Sequence, residues 1–211
     1  MATRSDILKK AYQCLDEIYP DKQLPNEIEE FRVEDFVDEA IRFIGRVAPV
    51  RALGAGYDFK ENNDDAPAIA NEGEQTETSE SDEPTNSVSL PSGFVRLISF
   101  QMSDWALPVT EALYSDNPRY RQQANPVLKG TPSRPVVFIC DGNTKLEYYS
   151  SKNNTVKKAQ AFIVDSTTDI YPEQLSSVIA WKTAELVLSA MNDVQALQFA
   201  QNQIQQQLQA L

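Results

Sequence analysis

The segment Arg134-Pro-Val-Val-Phe-Ile-Cys-Asp-Gly-Asn-Thr-Lys-Leu-Glu-Tyr-Tyr149 decides the fold class of this chain. Two runs rich in β-branched and aromatic residues flank Asp141-Gly-Asn-Thr144, and Asp-Gly between two such runs is a strong signal for a β-hairpin. The segment therefore predicts two antiparallel strands joined by a tight turn.

Further runs of the same composition lie outward from this hairpin. Residues 94–100 (FVRLISF) and 105–113 (WALPVTEAL) predict a second hairpin, with its turn at 101–104. Residues 159–164 predict one more strand. Because the connections between these runs are too short for helical crossovers, we expect a small, mainly antiparallel sheet.

Helical patterns lie on both sides of this region. Apolar residues recur at spacings of three and four over 5–19 and over 33–48, and a proline follows each pattern. These two segments predict an N-terminal helical hairpin. Pro172 suits the first position of a helix. The apolar stripe of this predicted C-terminal helix continues beyond residues 192–193 to Leu211.

The patterns together predict an α+β fold, with the helical hairpin over 1–53, an acidic flexible insertion over 54–88 and the β-sheet region over 89–170. We expect the C-terminal helices, over 171–211, to pack with the hairpin as a helical bundle. The chain of 211 residues is 41% hydrophobic and 24% charged, which is ordinary for a globular protein.

The same composition bears on where the protein works. No apolar run approaches the roughly 20 residues of a membrane-spanning helix, so we expect no membrane partner. The N-terminal residues lack a secretory pattern. We therefore expect a cytoplasmic site of synthesis.

The formal net charge of −12 is concentrated in one segment. Residues 61–83, the acidic segment, contain nine acids and no Lys or Arg, which leaves 22 acids against 19 bases in the rest of the chain. Residues 54–88 also have few large apolar side chains, which is typical of a solvated insertion. The alternative is an acidic arm that reaches a neighbouring subunit.

The residues offer little for catalysis or for cofactors. The chain has no His, two distant Cys that we expect to be buried, and seven Gly without a phosphate-binding motif. We predict no catalytic, metal-binding or cofactor-binding residue. Glu147, Asp165 and Asp169 leave a metal-dependent hydrolase as an alternative, although no spacing rule connects them.

Two segments favour interaction with other macromolecules. Residues 115–134, the contact loop, are irregular and contain Tyr, Arg, Gln and Asn, and long ordered loops of this kind tend to be functional. After Asp193 the chain carries eight glutamines around a short heptad-like stripe. The candidate interface residues are Trp105, Tyr114, Tyr120, Arg134, Tyr148, Tyr149, Trp181, Leu197, Ile204 and Leu208. Lys152, Lys157 and Lys158 beside Tyr148 and Tyr149 are typical of a solvated hairpin end, with a nucleic-acid patch as the alternative.

From Leu90 onward, the order of sequence pieces resembles the head-to-tail adaptor (tail tubular A-like) proteins of short-tailed phages, and most of all the portal-adjacent ring proteins of crAss-like phages. The pieces are Leu90-Pro-x-x-Phe-x-Arg-Leu97, Trp105 with Val109, Asn125 ahead of Gly130, Arg134-Pro-Val136, Leu146-Glu-x-Tyr149, Ala159-x-Ala-Phe-Ile163, Pro172-x-x-Leu175 and Trp181-x-x-Ala184. They extend over the last 120 or so residues. The N-terminal helices fit the family only in type.

The resemblance implies a structural virion protein at the head-tail interface, without an active site. Twelve copies would form a ring that binds the portal protein and further tail or ring proteins. DNA would leave through the channel without sequence-specific binding. The alternative function is a non-catalytic scaffold or binding module that oligomerises through the Gln-rich C-terminal helix.

Overall fold

The computed structural model describes residues 1–19, 32–60, 86–125, 127–148, 155–165 and 169–211. It confirms the α+β class, with helices and small, mainly antiparallel sheets. The chain forms two compact units, Met1–Gly54 with Val164–Leu211 and Ala55–Ile163. None of the helices in these described ranges is long and apolar enough to cross a bilayer.

The first unit is helical. Its helices are α1 (Arg4–Ile18), α2 (Glu34–Val47), α4 (Glu173–Ala190) and α5 (Val194–Ala210), which match the predicted helical patterns. Strands β1 (Ala2–Thr3) and β9 (Ile170–Tyr171) form a short antiparallel pair beside them.

Helix α4 is the centre of this unit, because α1, α2 and α5 all pack against it. It is accordingly apolar around most of its circumference, as expected for a buried helix. The chain reverses between α4 and α5 at Asn192, which has a positive φ of 59°.

The second unit contains two small sheets and the short helix α3 (Pro118–Gln122). One sheet has the order β2-β8-β4, and the other has the order β3-β7-β6-β5. The strands are β2 (Tyr57–Asp58), β3 (Asn86–Ser89), β4 (Phe94–Met102), β5 (Leu113–Tyr114), β6 (Val137–Cys140), β7 (Lys145–Tyr148) and β8 (Val156–Ile163). Side chains of both sheets share one apolar core, which includes Phe59, Phe100, Val137 and Tyr148.

The hairpin predicted from residues 134–149 is confirmed. Strands β6 and β7 pair from Val137 with Tyr148 to Cys140 with Lys145. The turn residues Asp141, Gly142 and Asn143 all have positive φ, between 50° and 71°. Asp, Gly and Asn are the residues that adopt this region most easily, which explains why the chain turns at this point.

The strand predicted over 105–113 is wrong in extent. Val109 alone pairs with Phe100 of β4, and the chain then continues to β5, which runs parallel to β6 in the other sheet. Pro108 lacks a backbone N–H, and Leu107 is 71% exposed. A strand that lacks one backbone N–H donor and exposes one apolar side chain to solvent is poorly stabilised. This explains why pairing with β4 is limited to Val109.

The predicted insertion 54–88 is structured at both of its ends. Strand β2 pairs with β8, Phe59 is 2% exposed, and β3 pairs with β7. The central residues 61–85 lie outside the described residues. The sequence did not predict these strands. Each has only two to four residues and is held mainly by backbone pairing, so it shows little hydrophobic periodicity.

Candidate interaction surfaces

The contact loop connects β5 to β6 and is built by local hydrogen bonds. Asn117 caps helix α3, since its side chain accepts a hydrogen bond from the backbone N–H of Arg119 at 3.0 Å. Pro118 occupies the first turn, where its missing donor is harmless. Asn125 accepts from the N–H of Val127 at 2.9 Å, and this bond orders the next turn.

Gln123 holds the two halves of the loop together. It is 6% exposed, its Oε1 accepts from the buried N–H of Gly130 at 2.7 Å, and its Nε2 donates to the carbonyl of Arg119 at 2.9 Å. Sequence reasoning missed this residue, because a glutamine within a polar loop gives no signal of burial.

The outer surface of the contact loop combines positive charge with apolar side chains. Arg119, Arg121 and Arg134 are exposed, and none of them forms an ion pair with a described residue. Val127 and Leu128 are 78% and 57% exposed. Consecutive exposed aliphatic side chains on an ordered loop are typical of a contact surface.

Tyr120 fixes the loop to the sheet beneath it. Its hydroxyl donates to Oε2 of Glu147 on β7 at 2.8 Å, and its ring packs edge-on against Phe138 of β6. The hydrogen bond to the carboxylate raises the pKa of Tyr120, with a further contribution from burial. The neighbouring residue Cys140 is 5% exposed, and burial raises the pKa of its thiol to about 11.

An aromatic cluster supports the second unit from inside. Phe100, Trp105 and Tyr148 have ring centroids between 5.0 and 6.2 Å apart. The indole Nε1 of Trp105 and the hydroxyl of Tyr148 are both buried and have no partner among the described residues. Burial raises the pKa of Tyr148 to about 12.

In the helical unit, α5 offers a surface without formal side-chain charge. Residues 194–211 contain no Asp, Glu, Lys or Arg. The inner face of α5 is buried through Ala196, Ala200 and Ile204, whereas Val194 and Phe199 are 63% and 41% exposed. Depletion of charge distinguishes the buried centre of protein interfaces from the rest of the surface.

A polar junction lies between α2, α4 and α5. Lys182 and Glu185 of α4 form an ion pair, and their side chains are only 11% and 12% exposed. The Nζ of Lys182 also lies 4.1 Å from the ring centroid of Phe43 on α2. Glu185 accepts from Gln201 of α5 at 3.2 Å, so the pair connects three helices.

The structure divides the predicted interface residues by their burial. Trp105, Tyr148, Trp181 and Ile204 are at most 7% exposed, so the chain uses them in its own core. Tyr114 and Arg134 are exposed, while Tyr120, Leu197 and Leu208 are half-buried. Tyr149 lies outside the described residues, as does Lys152.

The carboxylates considered for hydrolysis have structural partners or no metal-binding neighbours. Asp169 accepts from the N–H of Arg4 at 3.1 Å, and Glu147 accepts from Tyr120. Within the described ranges, no three His, Cys, Asp or Glu side chains come together to hold a metal ion. Cys14 is buried, as predicted, and burial raises the pKa of its thiol to about 12.

Comparisons of the sequence with protein-family models and with curated proteins found no match in either set.

Proposed function

We propose that this chain is a structural subunit of a phage virion, one of twelve copies in a ring that joins the capsid portal to the tail. The ring forms part of the channel through which DNA leaves. The observation that carries the proposal is the ordered series of sequence pieces from Leu90 to Ala184, which resembles the head-to-tail adaptor proteins.

The surfaces of the two units support this proposal. A ring requires that one surface of each subunit meets a different surface of the next one. The chain offers two such surfaces of different chemistry, the basic and apolar contact loop and the uncharged outer face of α5. A symmetric dimer would need only one self-complementary surface.

The direct test combines the purified chain with the portal protein encoded in the same genome. Mass measurement and electron microscopy should detect twelvefold rings of this chain bound to the portal. A stable dimer that ignores the portal would contradict the proposal and favour the scaffold alternative.

A single substitution tests the role of α5 without removing the helix. Gln205 is exposed on α5, and Gln205→Lys would bury a charge if that face docks. We expect a loss of portal or ring binding of roughly tenfold or more. Gln13→Lys, the same change at an exposed position of α1, is the control and should leave binding unchanged. If both variants bind like the wild type, α5 is not a docking surface.

A further inference from the structure

We infer that the contact loop of one copy binds the acidic segment 61–83 of a second copy of this chain. The inference rests on the self-assembly proposed above, and it names the contact that joins neighbouring copies. Charge, position in the sheet and chain length support it.

The charge argument begins with the second unit. Outside the acidic segment, residues 55–163 contain ten Lys or Arg and six Asp or Glu. The rest of this unit is therefore net positive, although the whole chain carries −12. The acidic segment has nine carboxylates and no base, so the two parts of one unit are electrostatic complements.

The backbone that carries the three exposed arginines is held by hydrogen bonds, with Arg119 and Arg121 on helix α3. Gln123 bonds both to the carbonyl of Arg119 and to the N–H of Gly130. A β-bridge between Thr131 and Arg134 follows directly, so it fixes the last arginine beside this closure. An ordered cationic surface loses less conformational entropy on binding than a disordered one.

The topology favours a contact between copies. Strand β3, where the chain returns from the acidic segment, is one edge of the four-stranded sheet, and β5, where the contact loop begins, is the opposite edge. The C-terminal end of the negative segment and the N-terminal end of the positive loop therefore adjoin opposite edges of the same sheet. Opposite charges at two different edges suit a head-to-tail contact, which is the kind that closes a ring.

The chain length permits this contact. Residues 61–85 lie between Lys60, after β2, and Asn86, where β3 begins. With both ends anchored, 25 residues could reach out by at most about 40 Å and return, at about 3.3 Å per extended residue. The same reach would span the chain's own four-stranded sheet, whose outer strands are about 14 Å apart, so length permits a contact within one chain as well, and the mixing experiment below separates the two.

The apolar tip of the loop favours a polypeptide as the occupant. Val127 and Leu128 are 78% and 57% exposed, and phosphates offer no apolar contact to them. Tyr120 is the loop's aromatic side chain, and its hydroxyl is engaged by Glu147. Residues 115–134 themselves therefore offer single-stranded DNA positive charge but no free aromatic ring for stacking, and the nearest exposed ring is that of Tyr114 on β5.

Charge exchange between two variants tests the inference. In the loop variant, Arg119→Glu, Arg121→Glu and Arg134→Glu are combined. In the segment variant, the nine acids of residues 61–83 are replaced by Lys. Each variant alone places like charges against each other, whereas in a mixture every contact between a loop-variant copy and a segment-variant copy again has opposite charges, so alternating copies can assemble.

Self-association is measured by sedimentation at low salt, both alone and with the portal protein. We expect each variant alone to associate at least tenfold more weakly than the wild type, and the equimolar mixture to recover to within about threefold. Wild-type association should also weaken as NaCl is raised. Lys145→Glu, Lys157→Glu and Lys158→Glu, at exposed positions of the same unit outside both the loop and the segment, give a control of equal charge that should associate normally.

Each other outcome has a defined meaning. A mixture no better than the separate variants would overturn the inference, because a contact within one chain cannot be rescued by mixing. Normal assembly by the loop variant, with lost binding of duplex DNA, would overturn it in favour of nucleic acid. Rings that form on the portal with all variants would leave the proposed function standing but remove this contact. A wild-type chain that associates neither alone nor on the portal would contradict both proposals.

Discussion

The side-chain oxygen of Gln123 accepts a hydrogen bond from the buried backbone N–H of Gly130 at 2.7 Å. This contact closes the contact loop between β5 and β6 and fixes its basic surface. A buried N–H that loses its acceptor pays the full cost of desolvation, so the contact can be tested by a single substitution.

We expect Gln123→Ala to lower the free energy of unfolding by about 1–3 kcal/mol, because the Gly130 N–H is left unpaired. Faster hydrogen exchange at Gly130 should accompany the loss. Gln122→Ala, at the exposed neighbouring position, is the control and should be nearly neutral. Equal urea midpoints for the two variants would show that Gln123 does not hold the loop.

Gly56 should tolerate no side chain. Its φ is +70°, and a Cβ there would lie 2.7 Å from the carbonyl oxygen of Ala161 on β8. We expect Gly56→Ala to destabilise the protein by about 2–5 kcal/mol, from backbone strain and overpacking together. Gly142→Ala separates the two effects, because φ is +64° there but the space around it is open. It should cost only about 1–2 kcal/mol in chemical denaturation.

The hydroxyl of Tyr148 is buried without a partner among the described residues, so its removal should do no harm. We expect Tyr148→Phe to be neutral or to stabilise the protein by about 1 kcal/mol. Tyr171→Phe provides the opposite case, since Tyr171 is equally buried but its hydroxyl interacts with Arg4. That variant should lose about 1 kcal/mol. Thermal unfolding of both variants measures the difference, and a clear loss in Tyr148→Phe would reveal a partner for its hydroxyl.

The N-terminus of α1 should make stability depend on pH in the acid range. Asp6 accepts hydrogen bonds from the hydroxyl and the backbone N–H of Thr3, and these lower the pKa of Asp6. A carboxyl with a lowered pKa in the folded state stabilises the fold above its unfolded value of 3.8, and this stabilisation disappears as the pH falls through the folded pKa.

The variant Asp6→Asn removes this titration. We expect its deficit in unfolding free energy, relative to the wild type, to be constant near neutral pH and to shrink below about pH 4. Asp16→Asn, at an exposed position on the same helix, is the control. A deficit for Asp6→Asn that persists unchanged in acid would contradict the capping role.

Local chemistry determined which secondary structures form. The residues Asp141-Gly-Asn143 adopt positive φ more easily than others, and between two β-rich runs they predicted the β6–β7 hairpin. The four long helices follow from apolar residues spaced to cover one face, a pattern that is independent of the partner. Prolines at 20 and 49 follow the first two helical patterns in the sequence.

The candidate surfaces were only partly predictable, because exposure depends on tertiary contacts and not on local sequence. Residues 115–134 were predicted as a contact loop from their composition, and Arg134 is indeed exposed. Trp105, Tyr148 and Trp181 are as aromatic as any interface residue, yet each is buried in the chain's own core. Residue type alone does not distinguish an interface residue from a core residue, because interfaces and cores both favour large apolar side chains.

By itself, the sequence determined the α+β class, the hairpin at 134–149, the helices and the concentration of negative charge in residues 61–83. Only the tertiary structure decided that β3 and β5 lie at opposite edges of one sheet, that Gln123 is buried and that Val127 and Leu128 are exposed. The physical reason is the range of the forces involved. Backbone preference and periodicity act over a few neighbouring residues, whereas burial and strand order depend on contacts between residues that are far apart in the chain.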